Sequence, residues 1–228
     1  MVDVHATFKR DQVERAIART CDKFSPDGGP TPRLKADIRR LLQVDREVDE
    51  EERRNPNFSY AFYSAPPPGK GHEICWGAYD AFALLIGVRL LRSEFPQGGA
   101  VEFLRRGRWP LERVFEGILR KPPEVRRPDL AKDRNRLRSQ LMSGALVTDP
   151  EQMVFLVLDA SEIRPAITIG EGLGEDLLNI RRSTGELLGS MAEFSHRGAV
   201  ATVIELVNSA YQIVAWLNHF PAIRRGRP

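Results

Sequence analysis

Between residues 81 and 93 the chain reads Ala-Phe-Ala-Leu-Leu-Ile-Gly-Val-Arg-Leu-Leu-Arg-Ser, a helix that is apolar on almost every side. A helix with no polar face can be stable only when other elements surround it, so this segment must lie at the centre of a core. It does not read as a membrane span. Residues 79–91 are interrupted by Asp80 and Arg89, whereas a span needs about 20 apolar residues. At 228 residues the chain is long enough to bury such a core, and 42% hydrophobic with 29% charged residues excludes wholesale disorder or a fibrous repeat. Two cysteines, Cys21 and Cys75, are too few for a disulfide framework. Nothing at the N-terminus joins a basic start to an apolar run and a cleavage site, so a cytoplasmic location without a membrane partner is expected.

Helical spacing of Phe8, Val13, Ala16 and Ile17 predicts a first amphipathic helix. The Pro- and Gly-rich residues 25–32 then form a loop. Thr31 can cap a second helix with Pro32 at its first position, and Leu34, Ile38, Leu41 and Leu42 give that helix one apolar stripe. Phe58, Tyr60 and Phe62 alternate with small residues as in a half-buried strand, and residues 72–76 can return as its hairpin partner after a Pro/Gly turn. Two further amphipathic helices follow, one through Val101, Phe103 and Leu104, the other after Pro110. Closely spaced prolines in residues 121–128 suggest a linker. Beyond it, residues 153–158 and 166–169 read as buried strands, and residues 199–220 as one long helix whose stripe packs on its own domain's sheet or, as the alternative, on a partner subunit. The expected fold class is α+β, mainly helical. A winged helix-turn-helix-like domain over residues 1–120, a basic Pro/Arg-rich connector over 121–150 and a small α/β dimerisation or interaction domain over 151–228 make up the expected organisation.

Charge is unevenly spread. Residues 89–147 carry 14 basic and 7 acidic residues, a net of +7, against −1 before them and −3 after them. Most of these cations are arginine, whose planar fork suits phosphate oxygens. Arg33, Lys35, Arg39, Arg40 and Arg46 also outnumber Asp37 and Asp45 on the second helix. A solvated surface explains such runs equally simply, so both readings stay open here. Helix, loop, basic helix and hairpin is the order a winged helix-turn-helix uses, with one helix in the major groove and the hairpin tip on the backbone. On that reading Arg33, Lys35, Arg39 and Arg40 face DNA from the helix, Lys70 and His72 from the wing, and Arg105, Arg106 and Arg108 from the basic segment, provided these arginines share one surface.

Tyr79-Asp80 at a helix start, Leu84, Leu85, Ile86 and Leu91-Arg92 within it, Phe95-Pro-Gln97 at the break, and Val101 with Leu104 after it carry a resemblance. Over residues 58–106 the chain resembles the C-terminal part of the DNA-binding domain of MerR-type transcription regulators. In that family a wing leads into a leucine-rich helix, a break and a short helix. The arginine and tyrosine signature of the family is absent from residues 31–46, so the chain resembles a divergent or uncharacterised relative rather than a classical effector-sensing member. The resemblance implies a DNA-binding regulator, commonly a homodimer.

No catalytic set is legible, and the chain is not expected to be an enzyme. Gly170-Glu-Gly-Leu-Gly174 follows a strand, but a dinucleotide fingerprint needs its third glycine where Glu175 stands. His72, Cys75 and Cys21 lack metal-ligand spacing, and Asp159 with Glu162 is an ordinary pair of loop carboxylates. No cofactor and no metal are expected. The expected function is sequence-specific binding of double-stranded DNA in transcription regulation. The alternative is an interaction or scaffold protein whose basic surface binds an acidic partner.

Overall fold

The computed structural model describes residues 6–26, 28–56, 58–67, 74–120, 152–159, 178–197 and 201–222. In chain order it contains α1 (Arg10–Thr20), α2 (Pro32–Arg46), α3 (Glu50–Arg54), α4 (Ala78–Arg92), α5 (Gln97–Arg106), α6 (Arg108–Arg120), β1 (Phe155–Asp159), β2 (Asn179–Arg181), α7 (Thr184–Arg197), β3 (Ala201–Glu205) and α8 (Val207–His219). The described part is mainly helical with a small antiparallel sheet, an α+β arrangement. No helix among the described residues is long and apolar enough to cross a membrane.

Helix α4 is central, as its composition requires. Twelve of its fifteen residues are buried, and α1, α2, α5, α6 and α8 all pack against it. Asp80 starts it by accepting the Gly77 N–H at 2.9 Å. Its end is a left-handed stop at Glu94 (φ 64°), where the Phe95 N–H reaches back to the Leu90 carbonyl. Gly87 lets the neighbours come close. A Cβ there would stand 3.1 Å from Phe62 Cζ and 3.2 Å from Leu41 Cδ1.

Among the described residues the predicted hairpin is not seen. Residues 58–63 lie in no strand, and Trp76 exchanges its two backbone hydrogen bonds with Phe8 instead. Alternation misleads here because Tyr60, Ala61, Phe62 and Tyr63 are all buried, so the segment has no wet face. Its partner stretch is described only from Ile74 onward.

At the C-terminal end, β1 is the predicted apolar strand. It is central in the sheet order β2-β1-β3, with Leu156 opposite Ile180 on one side and Ile204 on the other. The strand predicted at residues 166–169 and the glycine-rich turn after it lie outside the described residues. The long helix expected over 199–220 is instead β3 followed by α8. Val203 and Ile204 suit a pleated ladder, and the Glu205 carboxylate takes the Asn208 N–H to begin the helix. Nor does α8 pack chiefly on the sheet. It lies against α1, α4 and α6, and its Ile213, Val214 and Leu217 belong to the same core as Ile17 and Leu85. Tyr211 Oη donates to the Ile118 carbonyl at 2.7 Å, and Gln12 Nε2 to that of Phe220 at 2.7 Å.

Gly87→Val forces its side chain into Phe62 and Leu41, and overpacking of this kind costs about 1–3 kcal/mol. A lower urea midpoint with an unchanged slope is the expected result; an unchanged midpoint shows that this contact can give way freely.

Candidate functional site

Helix α2 combines a buried stripe with a basic outer face. Thr31 Oγ1 accepts the Leu34 N–H at 3.3 Å, Pro32 occupies the first position, and Leu34, Ile38, Leu41 and Leu42 are buried. Arg33, Lys35, Arg39 and Arg40 project on the exposed side, and among the described residues none of their charged heads has an ion-pair or hydrogen-bond partner. The helix itself is tied down. Gln97 Nε2 donates to the Arg40 carbonyl at 2.7 Å, and Arg46 Nε donates to Tyr63 Oη at 3.0 Å.

The arginines expected to join this face from the basic segment do something else. Arg105 is nearly buried, donates to Asp45 Oδ1 at 3.0 Å and to the Val44 and Asp45 carbonyls at 3.1 Å, and stacks over Phe58. Arg108, 8% exposed, donates to Asp80 Oδ1 at 2.7 Å, to the Tyr60 carbonyl at 2.8 Å and the Ala61 carbonyl at 3.2 Å, and to Ser64 Oγ at 3.1 Å. Arg106 is paired with Glu102 one turn back. Arg105 and Arg108 therefore correct the expectation of a continuous DNA-facing surface. Desolvated guanidiniums are tolerated where carboxylates and carbonyls use up their donors, and that is where these two sit. Lys70 and His72 lie outside the described residues, as do the glycine-rich turn, Glu162 and the arginine tail. His196 is exposed on α7, Cys75 is exposed, and Cys21 is half-buried. No group of three or more metal-ligating side chains occurs among the described residues.

Asp45 is the residue that sequence reasoning misplaced, and for Asp80, expected at the helix start where it stands, it did not foresee the buried partners. Asp45 reads as one of the surface acids of α2, yet it is fully buried, accepting the Ala61 and Phe62 N–H groups at 2.9 Å each. A signal was present. Asp45 falls four residues after Leu41 and three after Leu42, in register with the apolar stripe. Asp80 is buried among the apolar residues of α4 and takes the Ser64 hydroxyl in addition to Arg108 and the Gly77 N–H. The two carboxylates and Arg108 thus hold residues 60–64 from both sides, and Arg105 braces Asp45 from behind. Beside this segment opens a cleft lined by aromatic, hydroxyl and guanidinium groups.

Electrostatics follow burial. Desolvation pushes the Asp45 carboxyl up, against the pull of the two N–H groups and Arg105. It also raises Glu112, which the Arg108 guanidinium 3.9 Å away opposes and Asp80 reinforces. Burial raises the phenols of Tyr63 and Tyr79 as well, and pushes Tyr211 up to about 12.

Compared with models of protein families, with curated proteins and with solved structures, the chain matches none.

Asp45→Ala strands the Arg105 guanidinium and two N–H groups, and breaking a buried pair in this way costs about 3–5 kcal/mol. Urea unfolding of Asp45→Ala, Arg105→Met and the double variant is the check. The double variant is expected to lose clearly less than the two single losses added together, whereas simple additivity would show the pair to be uncoupled. Glu112 gives a pH signature. A carboxyl raised above its ordinary value of 4.5 contributes stability that is fully present below pH 4.5 and lost as pH rises through the folded value. In Glu112→Gln that downward slope is expected to flatten relative to wild type, read from urea midpoints taken between pH 4 and pH 7; parallel profiles refute it.

Proposed function

We propose that this chain binds double-stranded DNA, reading sequence with the outer face of α2, and acts in transcription regulation. The observation that carries the reading is the contrast in how arginine is used. Arg10, Arg15, Arg54, Arg105, Arg106, Arg108 and Arg120 each have a carboxylate partner, while Arg33, Lys35, Arg39 and Arg40 stand together on one exposed helix face with none. Four cations along a helix of 15 residues, about 22 Å long, match the scale of a major-groove element, where phosphate contacts supply affinity and bidentate arginines read guanine. The α1–loop–α2 order fits a helix-turn-helix, and a two-fold operator would be met by a homodimer. The resemblance to MerR-type regulators, taken without its wing and over the leucine-rich helix, the break and the helix after it, points the same way. The second reading, an acidic protein partner on the same face, rests on the same unpaired charges.

Fluorescence anisotropy with a duplex from the region upstream of the coding sequence and a scrambled duplex, titrated across salt, tests the proposal. Binding is expected to weaken with salt at a slope near −0.9 per phosphate neutralised, with the upstream duplex preferred. Arg39→Ala/Arg40→Ala is expected to reduce the slope by up to about 2 and to weaken the upstream complex at least tenfold. Absence of binding to either duplex transfers the face to the acidic-partner reading, and equal binding to both removes sequence reading.

A further inference from the structure

The open cleft beside residues 58–67 has a volume of about 390 Å3, within the range of small-molecule sites, and is built from Arg53, Phe58, Tyr60, Tyr63, Ser64 and Arg108, with one more serine, an alanine and two prolines completing the wall. Three properties define what it can hold. First, it is aromatic: the Phe58 and Tyr60 rings meet edge to face at 5.0 Å, and Tyr60 and Tyr63 at 6.1 Å. Second, its charge is positive. Among the described residues no carboxylate lines it, Arg108 is neutralised by Asp80 behind the wall, and Arg53 is exposed with no ion pair to a described residue while the adjacent Arg54 is paired to Glu50. Third, it offers an uncommitted phenol, since Tyr60 Oη has no hydrogen-bond partner among the described residues although the tyrosine is only 9% exposed.

The walls are also preorganised. Residues 60–64 make no ladder, yet Asp45, Asp80 and Arg108 hold their backbone and the Ser64 hydroxyl by hydrogen bonds, so this part of the backbone needs no ordering when a ligand arrives. A site of this kind suits a flat ring with one negative charge and one further polar group. On such a ligand the exposed ring edges would meet the apolar plane, the Arg53 guanidinium would take a carboxylate in its fork, and Tyr60 Oη would meet a ring hydroxyl.

We propose that this cleft is a binding site for a small aromatic carboxylate bearing a ring hydroxyl. The proposal is independent of DNA binding, and its test contains no DNA. Calorimetric titration of the full chain with 4-hydroxybenzoate, benzoate, benzamide and acetate provides the readout. Saturable one-to-one binding is expected for 4-hydroxybenzoate, at least tenfold tighter than for benzamide or acetate. Arg53→Gln, an exposed position outside the buried pairs, is expected to abolish the preference for benzoate over benzamide. Tyr60→Phe keeps the ring and is expected to erase the advantage of 4-hydroxybenzoate over benzoate. The proposal is overturned if no probe saturates, if benzamide binds as tightly as benzoate, or if both variants, with unfolding midpoints like wild type, bind every probe unchanged.

Discussion

Arg108 reaches from the first turn of α6 to Asp80 in the first turn of α4, and between them the two side chains take up the Ser64 hydroxyl, the Gly77 N–H and the carbonyls of Tyr60 and Ala61. A buried ion pair of this sort is a poor source of net stability, because removing both charges from water costs several kcal/mol per ion before their attraction returns it. Its effect is on shape. Peptide groups in a buried segment must find partners, and residues 60–64 have no neighbouring strand to provide them. With Asp45 supplying acceptors from the other side, these side chains let an irregular piece of chain run through the core, and the start of α4, the start of α6 and the end of α2 are thereby fixed relative to one another.

The same residue type serves two opposite ends in this molecule. Guanidiniums that are buried have every reason to be paired, and Arg105 and Arg108 spend most of their donors on carboxylates and carbonyls. Those on the outer face of α2 are solvated, so nothing in the folding energetics demands a partner there, and their charge is available to a polyanion. Net charge by segment does not distinguish the two. The +7 of residues 89–147 is in part an internal quantity, neutralised by Asp45 and Asp80 from the preceding part of the chain.

Closure of the core is a long-range matter. Helix α8 supplies Ile213, Val214 and Leu217 to the surface of α1 and α4, and the carbonyls of Phe220 and Pro221 are capped by Gln12 and Arg15 from the other end of the sequence. The central helix therefore has cover from both chain ends. The sheet stands at the edge of this arrangement, with Arg89 of α4 bonding the Glu205 carbonyl of β3.

Several features were legible in the residues alone because local physics decides them. The all-apolar stretch after Asp80 had to be a buried helix, the Thr31-Pro32 start and the apolar stripe of α2 left its cations on the other face, and the apolar run at β1 had to be a covered strand. Other features depended on partners distant in sequence. Alternation at residues 58–63 could not say whether the opposite face was wet. The apolar stripe read over residues 199–220 could not say that residues 201–205 would pair with β1. The arginines at 105 and 108 carried no mark separating a surface charge from a buried one. Periodicity and capping are properties of neighbouring residues, and the sequence determined them by itself. The choice of which carboxylate meets which guanidinium, and so which cations remain for a partner, is made between groups 28 and 60 positions apart and only the tertiary structure decides it.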